Sequence, residues 1–504
     1  MTTDDLTLHS QRLRGLATPF GVAAASVLLL TVATSFAESW PAVFVACGVA
    51  LVLLVAVAAV RWPRTAIVLV VLSPIIDRYV VGDMVPEPIA SASHYLSEAL
   101  LLTVAIVIAW RAWTQGWLIA VVRHPVMIAL VTFEAVAAVS AIVNDVPPLV
   151  AVIGLVFTVE AAALFFLPLL VGFSLRQAHA AIAAVLGLVL VAAILAIGQV
   201  VLHPRLFGME PYRGKFGEGA RLASVFGDPN VFGAFLVLAV PFALLGATRL
   251  PTRKLRWLAG AMTLVLMLAL WLSFSRGGWI ALVLGVGTML ALIDRRALLL
   301  GLLACVVSFV AADNIPRNLL PERKPPRPRL VDSTIDRIGA IGVGGDLRTL
   351  FILQSIPVLQ DHPLVGVGPG RFGGAVASTF PTPIYEEYGF RRLFWNPAQR
   401  TVDNFWLHLL VETGVLGAAA FLAAALIPGV RAVRRSRAAI GRRRIFFGGI
   451  AAAAAGIAVI SGTTMLLEAN SIAFVFWFLL GLGASVATTR RRVEQQGVGP
   501  AGGP

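Results

Sequence analysis

The chain has 504 residues, of which 58% are hydrophobic and only 13% are charged, and its mean hydropathy is +0.87. Its 40 Lys and Arg residues outnumber its 26 Asp and Glu residues, so the formal net charge is +14. These values lie far outside the range of soluble proteins and exclude a soluble enzyme. The composition predicts an all-α polytopic membrane protein.

We predict about fourteen transmembrane helices and one large external loop, because that many apolar runs are long enough to cross about 30 Å of hydrocarbon. The predicted helices are 18–36, 41–60, 65–82, 95–110, 125–143, 149–173, 178–202, 230–247, 255–273, 278–293, 297–313, 404–428, 445–463 and 469–487.

The predicted helices divide the chain into segments. These are a cytoplasmic N-terminal segment (1–17), N-terminal transmembrane helices (18–202), a first external loop with central helices (203–313), a large external loop (314–403), C-terminal transmembrane helices (404–487) and a disordered cytoplasmic tail (488–504).

The orientation follows from the arginines, because short cytoplasmic loops of membrane proteins are rich in Lys and Arg. Seven arginines lie between Arg431 and Arg444, in a short connection between two predicted helices. We therefore place this connection and both termini in the cytoplasm, and the segments 203–229 and 314–402 outside. The expected location is the inner (plasma) membrane, with the active site on the outer face.

Several kinds of site are not indicated by the sequence. It contains neither G-x-x-x-x-G-K-[ST] nor a G-x-G-x-x-G that follows a strand, which argues against an ATP-driven pump. Cys47 and Cys305 both lie inside predicted helices, so no C-x-x-C metal or redox site is present. We expect no cofactor, no metal ion and no nucleic-acid partner.

Segment 314–402 carries eleven basic residues against seven acidic residues. One interpretation is a solvated, loosely basic loop. The other is a surface that attracts an anion, such as the diphosphate of a lipid carrier or lipid headgroups. Within this segment Gly366, Gly368 and Gly370 alternate, and Pro369 favours a turn over a phosphate-binding loop.

Arg276 lies in a short hairpin, Leu272-Ser-Phe-Ser-Arg-Gly-Gly-Trp279, that joins two predicted helices at the outer face. A single arginine there could be an interfacial residue whose charge reaches the headgroups. Alternatively, the neighbouring glycines and serines favour a phosphate site, because they allow close backbone approach and supply hydroxyl groups.

The ordered set of motifs resembles the bacterial O-antigen ligase and O-antigen polymerase superfamily, over roughly residues 205–420. The motifs are Arg221-Leu-Ala-Ser-Val-Phe-Gly-Asp-Pro-Asn-Val-Phe-Gly233, the Ser-x-Ser-Arg-Gly-Gly hairpin, Arg348 followed by His362-Pro-Leu-Val-Gly-Val-Gly368, and Asp403-Asn404. Each motif alone is a weak signal, whereas their order is fairly specific.

The last family motif is His-Asn, nine residues, then Gly-x-x-Gly. This chain keeps the spacing to Gly414-Val-Leu-Gly417 but has Asp403 in place of the histidine, which in the family is the presumed catalytic base. An aspartate can also accept a proton. The alternative interpretation is that Asp403 only caps the following helix.

His408 offers a second candidate base. Asn404, His408 and Glu412 are spaced by four residues and therefore share one face of the predicted helix, with His408 about 6 Å deeper than Asn404. A polar stripe in a membrane helix faces a cavity or another helix. The alternative is a hydrogen-bond ladder that serves only helix packing.

The resemblance implies a metal-independent glycosyltransferase that moves a glycan from a polyprenyl diphosphate to an acceptor hydroxyl. The acceptor would belong to a glycan, a lipid or a protein, and membrane lipids surround the site. For diphosphate binding we expect Arg276, Arg348 and Arg221, with Ser275, Arg213 and Lys215 beside them. For the acceptor we expect Asp403 as base, His408 as second candidate, and Asn404 as orienting group.

Two other hypotheses remain open. A transporter or flippase would use acidic groups inside the membrane, such as Glu98, Glu134 and Glu160. It would also show two related halves with broken helices, which the sequence does not clearly display. A non-catalytic binding or assembly component is the third hypothesis, because the family's histidine is absent.

Overall fold

The computed structural model describes residues 40–80, 95–202, 221–314, 347–380, 382–393 and 401–495. Its long helices, in chain order, are α1 Trp40–Arg61, α2 Pro63–Val80, α3 Leu96–Thr114, α4 Pro125–Val143, α5 Pro148–Val171, α6 Leu175–Val201, α7 Pro229–Arg249, α8 Arg253–Leu272, α9 Arg276–Ile293, α10 Arg295–Asn314, α11 Leu347–Asp361, α12 Phe405–Ala438, α13 Gly441–Ile460 and α14 Asn470–Gln495.

The all-α polytopic class is confirmed. Eleven of the described helices are long and apolar enough to cross a membrane, and α1 and α2 contain shorter apolar stretches. Every predicted helix within the described residues coincides with one of these helices. The number of crossings stays a prediction, because the predicted helix 18–36 lies outside the described residues.

The central column of the bundle consists of α7 and α14. Each is buried over 83% of its apolar span, whereas α10 is buried over only 22%. Helices buried on all sides must be apolar all round, and the fully buried side chains of α7 include Phe232 and Phe235. The more exposed helices therefore form the rim of the bundle.

The arginine-rich connection is helical rather than a loop. Helix α12 continues ten residues beyond the predicted end, to Ala438, and α13 begins at Gly441. Hydropathy predicts that the helix ends where the arginines begin. The helix continues because its arginines bind neighbouring carbonyl groups. Arg435 donates to the carbonyl of Gly483, at 3.3 Å, and Arg437 to that of Leu292, at 3.1 Å.

Helix α12 is broken at Gly414, which has φ 62° and ψ −171°. The amide groups that follow the break cannot bond within the helix. Instead, the N–H of Val415 donates to the carbonyl of Pro363, at 3.0 Å, and the N–H of Leu416 donates to that of Leu364, at 3.2 Å. Residues 363–374, which we call the glycine segment, thus lie against the break.

The carbonyl groups that precede the break are satisfied by the same segment. Val411 accepts from the N–H of Val367, at 2.9 Å, and Glu412 accepts from the N–H of Gly368, at 3.0 Å. An unsatisfied backbone group in hydrocarbon costs several kcal/mol, so non-helical backbone at this depth needs such partners. The family spacing from residue 404 to Gly414 therefore places the break where the glycine segment inserts.

The alternating glycines allow this close approach. Gly366 has φ 73°, and a Cβ there would overlap the backbone of Glu412. The N–H groups of residues 366, 367 and 368 all donate to carbonyl groups of the protein. Gly366 thus packs against α12, and these three amides are not directed at a phosphate.

Helix α4 holds the glycine segment from the other side. Ser140 and Asn144 both donate to the carbonyl of Gly366, at 3.3 and 3.0 Å. Arg371 donates to the carbonyl of Asp145 at 2.8 Å, just beyond the end of α4. The N-terminal helices therefore form one wall around the segment.

We predict that Gly414→Ala lowers the stability of the protein by at least about 1 kcal/mol, because alanine is strained at positive φ. A Cβ at this position would also overlap the backbone of Leu364. The change is measured as a shift in the unfolding temperature in detergent, with size-exclusion chromatography as the detection method.

Gly429→Ala is the matched control for this prediction. It lies in the same helix, with open space where a Cβ would be. Alanine has the higher helix propensity, so the control should unfold at the same temperature or slightly higher. Equal unfolding temperatures for the two variants would contradict the assigned role of the break.

Candidate active site

Arg221 is bound to the hairpin that contains Arg276. Its guanidinium group donates to the carbonyls of Ser273, at 3.3 Å, and Phe274, at 3.1 Å. A third hydrogen bond, of 3.2 Å, reaches Oδ1 of Asn230 in the first turn of α7. The first two family motifs therefore lie side by side, and Arg221 supports the hairpin backbone.

Ser275 is buried and caps helix α9. Its hydroxyl accepts from the N–H of Gly278, at 3.2 Å, and donates to Oδ1 of Asn230, at 3.2 Å. Arg276 is the next residue, half-buried, in the first turn of α9. The structure thus gives the serine hydroxyl a role in shaping the turn that carries Arg276.

The glycines of the hairpin pack against the turn after α13. A Cβ at Gly277 would overlap Oγ1 of Thr463 and lie 3.3 Å from Cγ1 of Ile460. The same turn holds the start of α12, because the N–H of Phe405 donates to the carbonyl of Ser461, at 2.9 Å. The turn after α13 therefore lies between the Arg276 hairpin and the Asp403-Asn404 motif.

The cap of α12 is Asn404 and not Asp403, so the interpretation of Asp403 as a helix cap was wrong. The side chain of Asn404 accepts from the N–H of Leu407, at 3.1 Å. Asp403 precedes the cap at φ 48°, a left-handed conformation that Asp and Asn adopt more readily than most residues. The side chain of Asp403 is 56% exposed.

Arg348 lies close to Asp403. It is in the first turn of α11, and its Nη2 is 3.8 Å from Oδ2 of Asp403. The arginine side chain is 28% exposed. The structure thus places a predicted diphosphate-binding residue beside the predicted base, although 55 positions separate them in the chain.

His408 lies one turn below Asn404 and is only 2% exposed. Its Nδ1 is 2.5 Å from the carbonyl oxygen of Phe372, which can only accept, so this nitrogen carries a proton. Its Nε2 is 3.0 Å from Oε1 of Glu468. Both ring nitrogens are therefore engaged with acceptor groups of the protein.

Glu412 and Glu468 complete a buried cluster around His408. Glu412 lies one turn further along α12, with Oε1 3.7 Å from Nδ1 of His408, and accepts from the N–H of Phe372, at 2.7 Å. Glu468 accepts from the N–H of Ala375, at 3.0 Å. We call these three residues the His–Glu cluster. The polar stripe predicted from the sequence thus faces the glycine segment.

Glu468 lies between the spans of α13 and α14. Burial works to raise the pKa of this carboxyl group, but the charge of His408, its contact with the carboxylate and the N–H of Ala375 hold the pKa below the usual range. The lowered pKa favours the ionised carboxylate beside the imidazole ring.

Sequence reasoning missed Glu468 and Asn230. Glu468 stands in the short, mostly apolar connection Met465-Leu-Leu-Glu-Ala469 between two predicted helices, where a carboxylate needs a partner. Asn230 stands inside the first family motif but was not singled out. Arg213 and Lys215, which were predicted to bind substrate, lie outside the described residues.

The site lies at the end of the bundle opposite the arginine-rich connection. Helix α12 has 34 residues, so it is about 50 Å long and exceeds the hydrocarbon thickness. It begins beside Asp403, and its far end contacts the last turn of α9 through Arg437. Since α9 begins at Arg276, both helices run from the site toward the arginines.

A comparison with protein families agrees with this arrangement. The family model described as O-antigen ligase matches residues 261–422, which include the hairpin, Arg348, the glycine segment and the start of α12. The Arg221 motif lies before the matched range. A search of the curated proteins found no match to the chain.

The match confirms the resemblance that the sequence motifs predicted. It supports an O-antigen ligase-like, glycosyltransferase-like function in the assembly of surface polysaccharide, performed by a multi-pass membrane protein. Over residues 261–422 this chain is therefore similar to the O-antigen ligase family.

Proposed function

We propose that this protein transfers a glycan from a polyprenyl-diphosphate carrier to an acceptor hydroxyl at the outer face of the inner (plasma) membrane. The acceptor hydroxyl belongs to a glycan, a lipid or a protein. One observation carries the proposal, namely that the predicted motifs meet at one end of the bundle. Arg221 supports the Arg276 hairpin, this hairpin packs on the turn after α13, and the same turn holds the start of α12.

The proposed reaction exchanges one bond at the anomeric carbon of the donor glycan. The acceptor oxygen forms a bond to this carbon as the bond from the carbon to the diphosphate oxygen breaks. The electron pair of the broken bond stays on the diphosphate, and the acceptor proton passes to the carboxylate of Asp403. Arg276 and Arg348 stabilise the charge that grows on the diphosphate, so the proposal needs no metal ion.

Asp403 is the better candidate for the base. More than half of its side chain is exposed, and it stands beside Arg348, so an acceptor hydroxyl and a diphosphate would be adjacent there. His408 is only 2% exposed, with the carbonyl of Phe372 against Nδ1 and the carboxylate of Glu468 3.0 Å from Nε2, so an acceptor hydroxyl does not reach either nitrogen. A general base must reach the proton that it removes. We therefore propose that His408 supports the site and is not the base.

The outer-face location rests on the arginines at the opposite end of the bundle. Their number predicts a cytoplasmic position for that end, and the helices that begin at the site are long enough to cross the membrane. No nucleotide sugar is available outside the cytoplasm. A lipid-linked donor therefore fits this location.

The transporter hypothesis draws on acidic residues in the membrane helices. Of these, Glu98 accepts a hydrogen bond from Nδ2 of Asn470, at 2.9 Å, and so has a partner between α3 and α14. This contact favours a role for Glu98 in helix packing. The clustering of arginines and Asp403 at one end of the bundle favours transfer chemistry over transport.

We predict that an impermeant thiol reagent on intact cells labels Thr379→Cys but not Ile440→Cys, in a background with Cys47 and Cys305 changed to alanine. Both new cysteines replace exposed residues. Thr379 is close to the glycine segment, and Ile440 is between α12 and α13. After cell lysis both should react. Labelling of residue 440 alone on intact cells would place the site in the cytoplasm and overturn the proposal.

We predict that Arg276→Ala and Arg348→Ala each lower the transfer rate by roughly a hundred- to a thousandfold, because losing a donor to a developing oxyanion costs about 2.7–4 kcal/mol. Lysine at position 276 should restore activity only in part, since it lacks the planar, bidentate group. The rate is measured with purified protein and a polyprenyl-diphosphate glycan.

Arg391→Ala is the matched control for the arginine variants. Arg391 is an exposed arginine of the same external region and pairs with Glu386, at 2.8 Å. An exposed pair of this kind contributes little to stability, so the control should transfer at the wild-type rate. If the three arginine variants transfer equally well, the diphosphate assignment is lost and the transporter hypothesis gains support.

We predict that Asp403→Asn lowers the transfer rate by roughly a hundredfold or more, because it removes the proton acceptor. Asparagine also tolerates a positive φ, so the change leaves the backbone of residue 403 in place and tests the carboxylate alone. Asp403→His, which restores the family's residue, should retain activity. Full activity of Asp403→Asn would remove Asp403 from the proposed mechanism.

A further inference from the structure

The His–Glu cluster lies next to the proposed base but does not touch it. His408 and Glu412, from α12, are buried, and the side chain of Glu468, from the turn before α14, is 9% exposed. Burying a histidine and two carboxylates is costly unless each is paired. The pairing within the cluster offsets this cost.

The cluster holds the backbone of residues 372–375 at three points. Phe372 donates its N–H to Glu412 and offers its carbonyl to His408, and Ala375 donates its N–H to Glu468. Between them, a Cβ at Gly374 would overlap Oε1 of Glu468 and lie 2.8 Å from Cε1 of His408. The backbone therefore lies directly on the cluster.

This backbone is in turn bonded to the residue before Asp403. The N–H of Val402 donates to the carbonyl of Gly373, at 3.2 Å, and a Cβ at Gly373 would overlap the Val402 side chain. Val402 is fully buried, whereas Asp403 follows it with an exposed side chain and a left-handed backbone. One hydrogen bond thus links the turn held by the cluster to the segment that carries the proposed base.

We propose that Glu468 is a positioning residue that acts through His408 and the 372–375 backbone to hold Asp403 in its left-handed conformation. The expected effect on the transfer rate rests on the proposed function of Asp403, whereas the expected effect on the backbone does not. Glu468 contacts neither Asp403 nor the predicted diphosphate ligands in the described contacts. Its effect is therefore on the placement of the base, and a displacement of about 1 Å can cost on the order of a hundredfold in rate.

The kinetic test is a double-mutant cycle. Glu468→Ala should lower kcat by on the order of a hundredfold, with the KM for the donor unchanged, because donor binding relies on the arginines. In the Asp403→Asn background the same change should cost no further activity. Glu468→Gln keeps an oxygen for the N–H of Ala375 and should restore kcat in part. Glu386→Gln, an exposed carboxylate of the same region, is the control and should be unchanged.

The structural test is amide hydrogen exchange, which requires no activity. In Glu468→Ala the amides of Ala375 and Val402 should exchange faster, by roughly fivefold or more, the change expected from loss of one net hydrogen bond. Amides of α7, far from the cluster in sequence, serve as the internal reference for intact folding. If Glu468→Ala does not fold, Glu468→Gln is measured in its place, and the expected increase in the amide exchange rate is smaller.

The outcomes separate the two proposals. The positioning role is overturned if the loss of kcat in Glu468→Ala adds fully to that of Asp403→Asn, or if the exchange rate of the Val402 amide is unchanged. Either result leaves the proposed function standing. If Asp403→Asn transfers normally, the proposed mechanism fails, and the exchange at Val402 still decides whether Glu468 holds this backbone. Faster exchange together with a non-additive loss of kcat supports both.

Discussion

The backbone hydrogen bonds between the break in α12 and the glycine segment determine how the site is arranged. A membrane helix can be interrupted only where other groups satisfy its free amides and carbonyls, and residues 363–368 supply both kinds of partner. Once this stretch is held, the chain must continue over the upper turn of α12, where His408 and Glu412 bind Phe372. The arrangement of residues 363–375 at the start of α12 therefore follows from the break in this helix.

Charged groups near the start of α12 form two sets that differ in their exposure to solvent. Glu412 and Glu468 surround His408 inside the protein. Arg348 and Asp403, by contrast, have side chains 28% and 56% exposed and are 3.8 Å apart, too far for a strong hydrogen bond. A buried ion cluster resists change, whereas an exposed pair can yield to a ligand. This contrast is consistent with support from the buried groups and reaction at the exposed ones.

Sequence reasoning succeeded where the signal was local. Apolar runs located the helix starts within a few residues, although α12 and α14 end eight or more residues beyond their predicted ends, and the motif order led to the family whose model matches residues 261–422. Residue type left the cap of α12 open, because either Asp403 or Asn404 suits a cap. The structure assigns the cap to Asn404, and Asp403, at positive φ, follows Val402, whose N–H donates to the carbonyl of Gly373. That hydrogen bond joins residues that are almost thirty positions apart.

The sequence by itself determined the lipid-facing helices and the identity of the motif residues, because hydropathy and spacing depend only on neighbouring residues along the chain. The tertiary structure alone decided what each polar group meets. His408 could have faced a cavity, but packing placed it between Phe372 and Glu468, and Asn230 became the group that joins Arg221 to Ser275. These partners are 9 to 60 positions away in the chain, and which side chains meet across packed helices depends on how the helices pack, which residue spacing does not record.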